Sequence, residues 1–207
     1  MSKAAAPLDT SAKRQTILNC AIDVFAAHGF RNTDVQVIAD EAGVGKGTVY
    51  RYFGNKEELF LATVDAAMGR LEEHYFAAVD GINNIYERIR TGAMAYTGFF
   101  GRHPELMEIM IQERAEFRGS VPDTHLMYRE KNRAGIEKIF KQAITAGEVR
   151  RLNVTEAVNA YANMLFGIVL TGCMEGSAQK IRQTTKHAVD IFIEGIRPRK
   201  SSTNGRG

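Results

Sequence analysis

Between its four prolines (Pro7, Pro104, Pro122, Pro198) the chain repeats hydrophobic residues at three- and four-residue spacing over long stretches, with no strand-like alternation. With 3.6 residues to a helical turn, that spacing gathers apolar side chains on one face of a helix. The pattern predicts an all-α fold of about nine helices. Composition agrees with a folded soluble chain, since 44% of the 207 residues are hydrophobic and 25% charged. The net charge of +3 rests on Arg197, Arg199, Lys200 and Arg206 near the C-terminus; without them the balance is −1, so bulk charge says nothing about nucleic acid. Cys20 and Cys173 lie far apart in no Cys/His cluster, which predicts free thiols, no metal and no cofactor. Residues 1–7 lack an apolar core, so no secretory signal is read there and a cytoplasmic location is expected. The uncharged run 157–174 invites a membrane reading. It is interrupted by Asn159 and Asn163, becomes solidly apolar only at Met164, and is diluted by Gly167, Thr171 and Gly172. A buried helix between two neighbours accounts for it more simply, and no membrane partner is expected.

The first helix is expected from near Ser11, with Ile17, Leu18, Ala21, Val24 and Phe25 on one face and an end at Gly29. Thr33, with Gln36 three residues on, reads as a capping box opening a second helix whose Val35, Ile38 and Ala39 face inward. Asn55 and Glu58 open a long helix to about Ala78 in the same way, with Phe60, Val64, Ala67, Met68, Leu71 and Tyr75 on one stripe. At 1.5 Å per residue it spans roughly 35 Å, enough to join two domains. Further helices follow around Ile85 to Phe100, over 104–117, from the loop 118–124 to Gly147, over about 155–175, and through Ile181, Ala188, Val189, Phe192 and Ile196. The expected organisation is a flexible N-terminus (1–10), a helix-turn-helix domain (11–55), a helical domain (56–196) and a basic disordered tail (197–207).

The span TDVQVIADEAGVGKGTVYRYF places two short helices around a glycine-bearing turn, the outline of a helix-turn-helix. Ala39 is small where the helices approach, Gly43 supplies a positive φ in the turn, and Val49 plugs the shared core. Val49 and Phe53 then face inward, leaving Lys46, Gly47, Thr48, Tyr50, Arg51 and Tyr52 outward. Lysine can donate to guanine, threonine offers a hydroxyl and a methyl for thymine, and tyrosine hydroxyls donate to phosphate. Lys56 starts the next helix, where free N–H groups already favour a phosphate. Packing of Tyr50 and Tyr52 against the first helix, and a solvated Arg51, are the plain alternatives.

The run ILNCAIDVFAAHGF, followed by this span and NKEELF, resembles the N-terminal domain of the TetR family of transcriptional regulators over about residues 11–65 without a gap. The resemblance implies that Thr33, Tyr50 and Lys56 hold phosphates, with Lys46, Gly47 and Thr48 near base edges. Gln36, Arg51 and Tyr52 complete the set, Tyr52 standing where many relatives have histidine. Position 45 departs from the pattern: Gly45 replaces a capping Ser or Thr, which weakens the cap of the third helix.

Beyond residue 80 the resemblance is architectural, implying a helical domain that dimerises and binds a small ligand. In the eighth helix Phe166, Leu170 and Cys173 lie opposite Ala157, Tyr161, Met164 and Ile168. With Val189 and Phe192 of the ninth helix they form the expected homodimer interface, a four-helix contact between two copies. Helical phase points Glu113 with Leu106, Met110 and Phe117, and His125, Arg129 and Asn132 with Ile136, Phe140 and Ala143. A buried charge needs a partner. Either Glu113 pairs internally with Arg129 or Arg133, or some of these groups read a ligand's polar end, with Tyr96, Phe100, Met110, Tyr161 and Met164 lining the rest. The candidate ligand set is thus Tyr96, Phe100, Met110, Glu113, Phe117, Arg129, Asn132, Tyr161 and Met164. The stripe reads equally as core, although apart from Met1 every methionine lies from Met68 onward and methionine adapts to irregular ligands.

Catalytic motifs are missing: there is no Glu-x-x-His, no HExxH and no GxSxG, and GVGKGT fails as a phosphate loop because Asp40 and Gly47 stand at its required positions. The chain is expected not to be an enzyme. The reading is a sequence-specific DNA-binding regulator, a homodimeric repressor released from a palindromic operator by a small-molecule effector. A constitutive DNA binder without ligand and a helical ligand-handling enzyme are the rivals.

Overall fold

The computed structural model describes residues 10–199, and among them nine helices: α1 (Thr10–Asn32), α2 (Val35–Glu41), α3 (Lys46–Phe53), α4 (Lys56–Val79), α5 (Ile85–Arg102), α6 (Glu105–Glu116), α7 (Thr124–Thr145), α8 (Val154–Met174) and α9 (Ala178–Ile196). No strand occurs among the described residues; Arg118 and Val121 form one isolated bridge in the loop after α6. The flexible N-terminus and basic tail expected at 1–10 and 197–207 lie, apart from Thr10 and residues 197–199, outside the described residues. Arg197 is ordered: it caps α9, and its guanidinium lies 4.8 Å from the Tyr86 ring centroid.

The capping box at Thr33 needs correction. Gly29 breaks α1 with φ 78, and both the N–H and the hydroxyl of Thr33 donate to the Gly29 carbonyl, at 3.2 and 2.7 Å. Asp34 is the cap of α2, its Oδ1 accepting from Gln36 N at 2.8 Å, while the Gln36 amide runs forward to Asp40 at 2.7 Å. A carboxylate is the stronger acceptor for free helix N–H groups, and Thr33 is consumed closing the turn before it. The second start signal holds: Asn55 Oδ1 accepts from Glu58 N at 2.8 Å.

Packing divides the chain into two compact units. The first comprises 10–70 and His103–Met127, hence α1 to α3, the first part of α4, α6 and the beginning of α7. Its core joins Ile17, Leu18 and Phe25 of α1 to Ile38, Val49 and Phe60, all almost wholly buried, together with Leu106, Met107 and Ile109 of α6. The Phe117 ring sits 5.0 Å from Phe30 and 5.6 Å from Phe60, and the Gln112 amide donates to the Phe25 carbonyl at 3.0 Å. The helix-turn-helix expected at 11–55 is therefore part of a larger packed body that includes α6.

The second unit comprises Leu71–Arg102 and 128–199. Ile85, Ile89 and Ala93 of α5, Phe140 of α7, Val158, Tyr161 and Leu165 of α8, and Val189, Ile193 and Ile196 of α9 form one cluster. By length and composition α8 could cross a membrane. Its Val158, Tyr161, Leu165, Ile168, Val169 and Gly172 are buried within this unit. At Gly172 the contact with α9 is so close that a Cβ there would lie 2.1 Å from Ile181 Cγ1.

Candidate nucleic-acid interface and ligand cavity

The helix-turn-helix forms as its spacing requires. Ala39 and Val49 are fully buried, Gly43 takes φ 64 in the turn, and Phe53 closes the inner side of α3. Gly45 caps α3 without a side-chain hydrogen bond, as its lack of a hydroxyl dictates. Tyr50 is 37% exposed, Gly47 and Arg51 are exposed, and Lys46, Thr48 and Tyr52 are half-buried. The Arg51 guanidinium lies 5.6 Å from the Tyr52 ring centroid. Lys56 donates to the Arg31 carbonyl at 3.0 Å and covers the Phe30 ring. Thr33 is only 4% exposed with its hydroxyl already engaged, so of the nine candidates it is the least available to a phosphate. Sequence reasoning did not single out Asp34. Its Oδ1 also accepts from Lys46 Nζ at 2.8 Å, tying the start of α2 to the start of α3. The α2 N–H and Lys46 together hold the Asp34 carboxyl below its ordinary range, and Asp34 raises Lys46.

The nine candidate ligand residues fall into both units: Met110, Glu113 and Phe117 belong to the first, the other six to the second. Glu113 is 2% exposed, and its expected pairing with Arg129 or Arg133 is not made. Its carboxylate accepts from the Thr124 N–H at 3.3 Å and from the Thr124 hydroxyl, holding the first turn of α7. Burial raises its pKa, partly offset by those two bonds. Arg129 donates instead to Asn163 Oδ1 at 2.6 Å and Asn159 Oδ1 at 3.0 Å, and Arg133 pairs with Glu130 at 2.7 Å. Helical phase placed these side chains; which neighbour lies across from each depends on how helices pack.

Within the second unit a cavity of about 210 Å³ opens among α4, α5, α7 and α8. Of the candidates, Asn132 and Tyr161 line it; Tyr75, Phe76, Ile89, Ile136, Phe140, Arg88 and Lys131 supply much of the remaining wall and were missed. Tyr161 donates to the Ile89 carbonyl at 2.7 Å, and burial lifts its phenol well above the usual pKa. Burial likewise raises Tyr75, whose hydroxyl has no hydrogen-bond partner among the described residues. Lys131 and Asn132 converge on Glu72 at 2.8 and 2.7 Å. Burial alone raises Glu72, but these two donors outweigh it and the net shift is downward. Tyr96 packs 5.4 Å from Phe100, its phenol raised by burial, and Met164 packs half-buried on the unit's core.

Of the expected dimer residues, Val189 is buried within its own unit and Phe192 packs against Tyr161 with tilted rings 5.2 Å apart, so the core already engages both. Phe166, Leu170 and Cys173 remain half-buried, while Met174 and Ile191, which the phase reading passed over, are 76% and 75% exposed.

Comparison with known proteins bears on the same residues. Residues 17–63 match the model for bacterial regulatory proteins of the tetR family. The fatty acid metabolism regulator protein of Bacillus subtilis is 38% identical over 188 residues, covering 89% of this chain and 95% of that one. The HTH-type transcriptional repressor SCO4008 of Streptomyces coelicolor is 29% identical over 189 residues, 91% of each. The solved structure of FadR from Bacillus subtilis in complex with stearoyl-CoA superposes with a TM-score of 0.73 at 21% identity, over 88% of this chain and 99% of that one. A regulator from Chloroflexus aurantiacus superposes at 0.76 and 19% identity, over 91% and 98%.

Proposed function

The chain belongs to the TetR family of DNA-binding transcriptional regulators, and from that premise we propose that it is a homodimeric repressor which a small amphipathic ligand releases from a palindromic operator. The observation that carries the reading is the packed α2–Gly43–α3 arrangement, which turns Val49 and Phe53 inward and leaves Lys46, Thr48, Tyr50 and Arg51 on the open side of α3. A two-fold dimer would present two copies of α3 to successive major grooves, about 34 Å apart. The half-exposed faces of α8 and α9, with Met174 and Ile191 bare, are the surface such a dimer would cover.

The cavity among α4, α5, α7 and α8 is the proposed ligand site. Its apolar wall suits a hydrocarbon tail and the Tyr75 hydroxyl offers a donor for an acidic head, while Lys131, paired with Glu72, and Arg88, bonded to the Val79 and Ile82 carbonyls, would have to exchange those partners to reach it. Two of the comparisons, both with Bacillus subtilis, point to the same chemistry by name, a fatty acid metabolism regulator and a FadR complex with stearoyl-CoA. At about 210 Å³ the space lies below the roughly 300 Å³ at which ligand pockets usually begin, so a long acyl chain must displace side chains as it enters. For release, the rearranged state that accepts the chain must be one that binds DNA less well, since a ligand with equal affinity for both states shifts no equilibrium.

Selection from a random DNA pool tests the reading. Wild type is expected to enrich an inverted repeat that Tyr50→Ala loses or binds far more weakly, and fatty acyl compounds are expected to dissociate the complex. A folded protein that enriches no sequence would overturn it.

A further inference from the structure

Resting on that reading, we propose that Asp34 is a positioning residue for specificity: its carboxylate holds Lys46 back from phosphates, so that Lys46 is given up only to a base edge correctly placed across α3. The observation is one shared atom. Asp34 Oδ1 accepts from the Gln36 N–H and from Lys46 Nζ, both at 2.8 Å. It therefore caps α2 and anchors the first residue of α3 together. Gly45 supplies no side-chain cap to α3, so this tether is the side-chain bond that links the start of that helix to α2.

The charges around the pair set its consequence. Lys56 adds positive field at Asp34, Asp40 lies on the same helix bonded to Gln36, and Arg51 is occupied over Tyr52. A phosphate approaching Lys46 at random meets the Asp34 carboxylate beside it and must displace a hydrogen-bonded anion to gain an equivalent one. A guanine O6/N7 edge, reached when α3 is seated in the major groove, accepts from Lys46 without bringing a second full negative charge against Asp34. The pair thus weakens backbone-only binding more than seated binding.

Asp34→Asn isolates the charge, because asparagine caps helices as well as aspartate and leaves the Gln36 bond in place. Affinities of the full-length protein and its Asp34→Asn, Lys46→Gln and doubly substituted variants are measured against the duplex enriched from the random pool and a scrambled duplex, across a salt series. We expect Asp34→Asn to tighten the scrambled duplex several-fold more than the enriched one. Its salt dependence on scrambled DNA should steepen by about 0.9 for each lysine freed to take a phosphate. In the Lys46→Gln background the same substitution should change discrimination little. Equal tightening of both duplexes, or an undiminished effect of Asp34→Asn without Lys46, would overturn the proposal, leaving Asp34 an ordinary surface charge. A wild type that does not discriminate between the duplexes overturns the operator reading itself, and this inference with it.

Discussion

Glu113 illustrates how a residue can be legible in phase and illegible in partnership. Its position among Leu106, Met110 and Phe117 placed it inward, and it is buried. Its donor is not an arginine but Thr124, eleven positions on across the loop between α6 and α7. The folded state raises the Glu113 pKa because burial outweighs those bonds, so the native protein binds that proton more tightly than the unfolded chain. The contribution to stability is present at low pH and falls as pH rises from the ordinary carboxylate range toward the raised value. Urea unfolding midpoints should therefore decline for wild type relative to Glu113→Gln as pH increases through that window. Parallel profiles would remove Glu113 from the account.

Among elements, α8 and α9 approach closely at Gly172. A methyl at position 172 meets Ile181 Cγ1 at 2.1 Å and Cδ1 at 2.9 Å, well inside van der Waals contact. Gly172→Ala gains helix propensity of up to about 1 kcal/mol, while overpacking costs roughly 1–3 kcal/mol, so a net loss is expected. Denaturant titration measures it, and the diagnostic is coupling: with Ile181→Ala the combined loss should fall clearly short of the sum of the single losses. Additive losses would mean that the helices separate freely there. The glycine was visible in the sequence as a dilution of apolar character, which says nothing of what approaches it.

Across the whole molecule, the chain passes between its two compact units after Arg70, after Arg102 and after Met127. The first unit is therefore not an N-terminal piece that can be cut away. Its Phe25, Phe30 and Phe60 rings are completed by Phe117, and α1 is bonded to α6 through Gln112 and through the Arg31–Glu116 pair at 2.8 Å. A fragment ending at residue 70 loses α6 and leaves that aromatic face bare. Thermal circular dichroism should find it without a cooperative transition near that of the full chain. A fragment melting cooperatively at the full chain's temperature would make α6 dispensable to the unit.

The presence and order of the helices, the inward sets of α1 to α4 and the turn at Gly43 follow from the sequence alone, because spacing and φ preferences act within a few residues of backbone, whereas the cap of α2 proved to be Asp34 and not Thr33. The family followed too, since its residues lie in one short run. What only tertiary structure decided is the partner of each polar group and the company of each helix: Asp34 with Lys46, Glu113 with Thr124, Arg129 with Asn159 and Asn163, and α6 with α1. The candidate ligand residues scattered for the same reason. Angular phase says that a side chain points inward, but many inward side chains share that phase, and only the three-dimensional approach of helices distant in sequence selects among them.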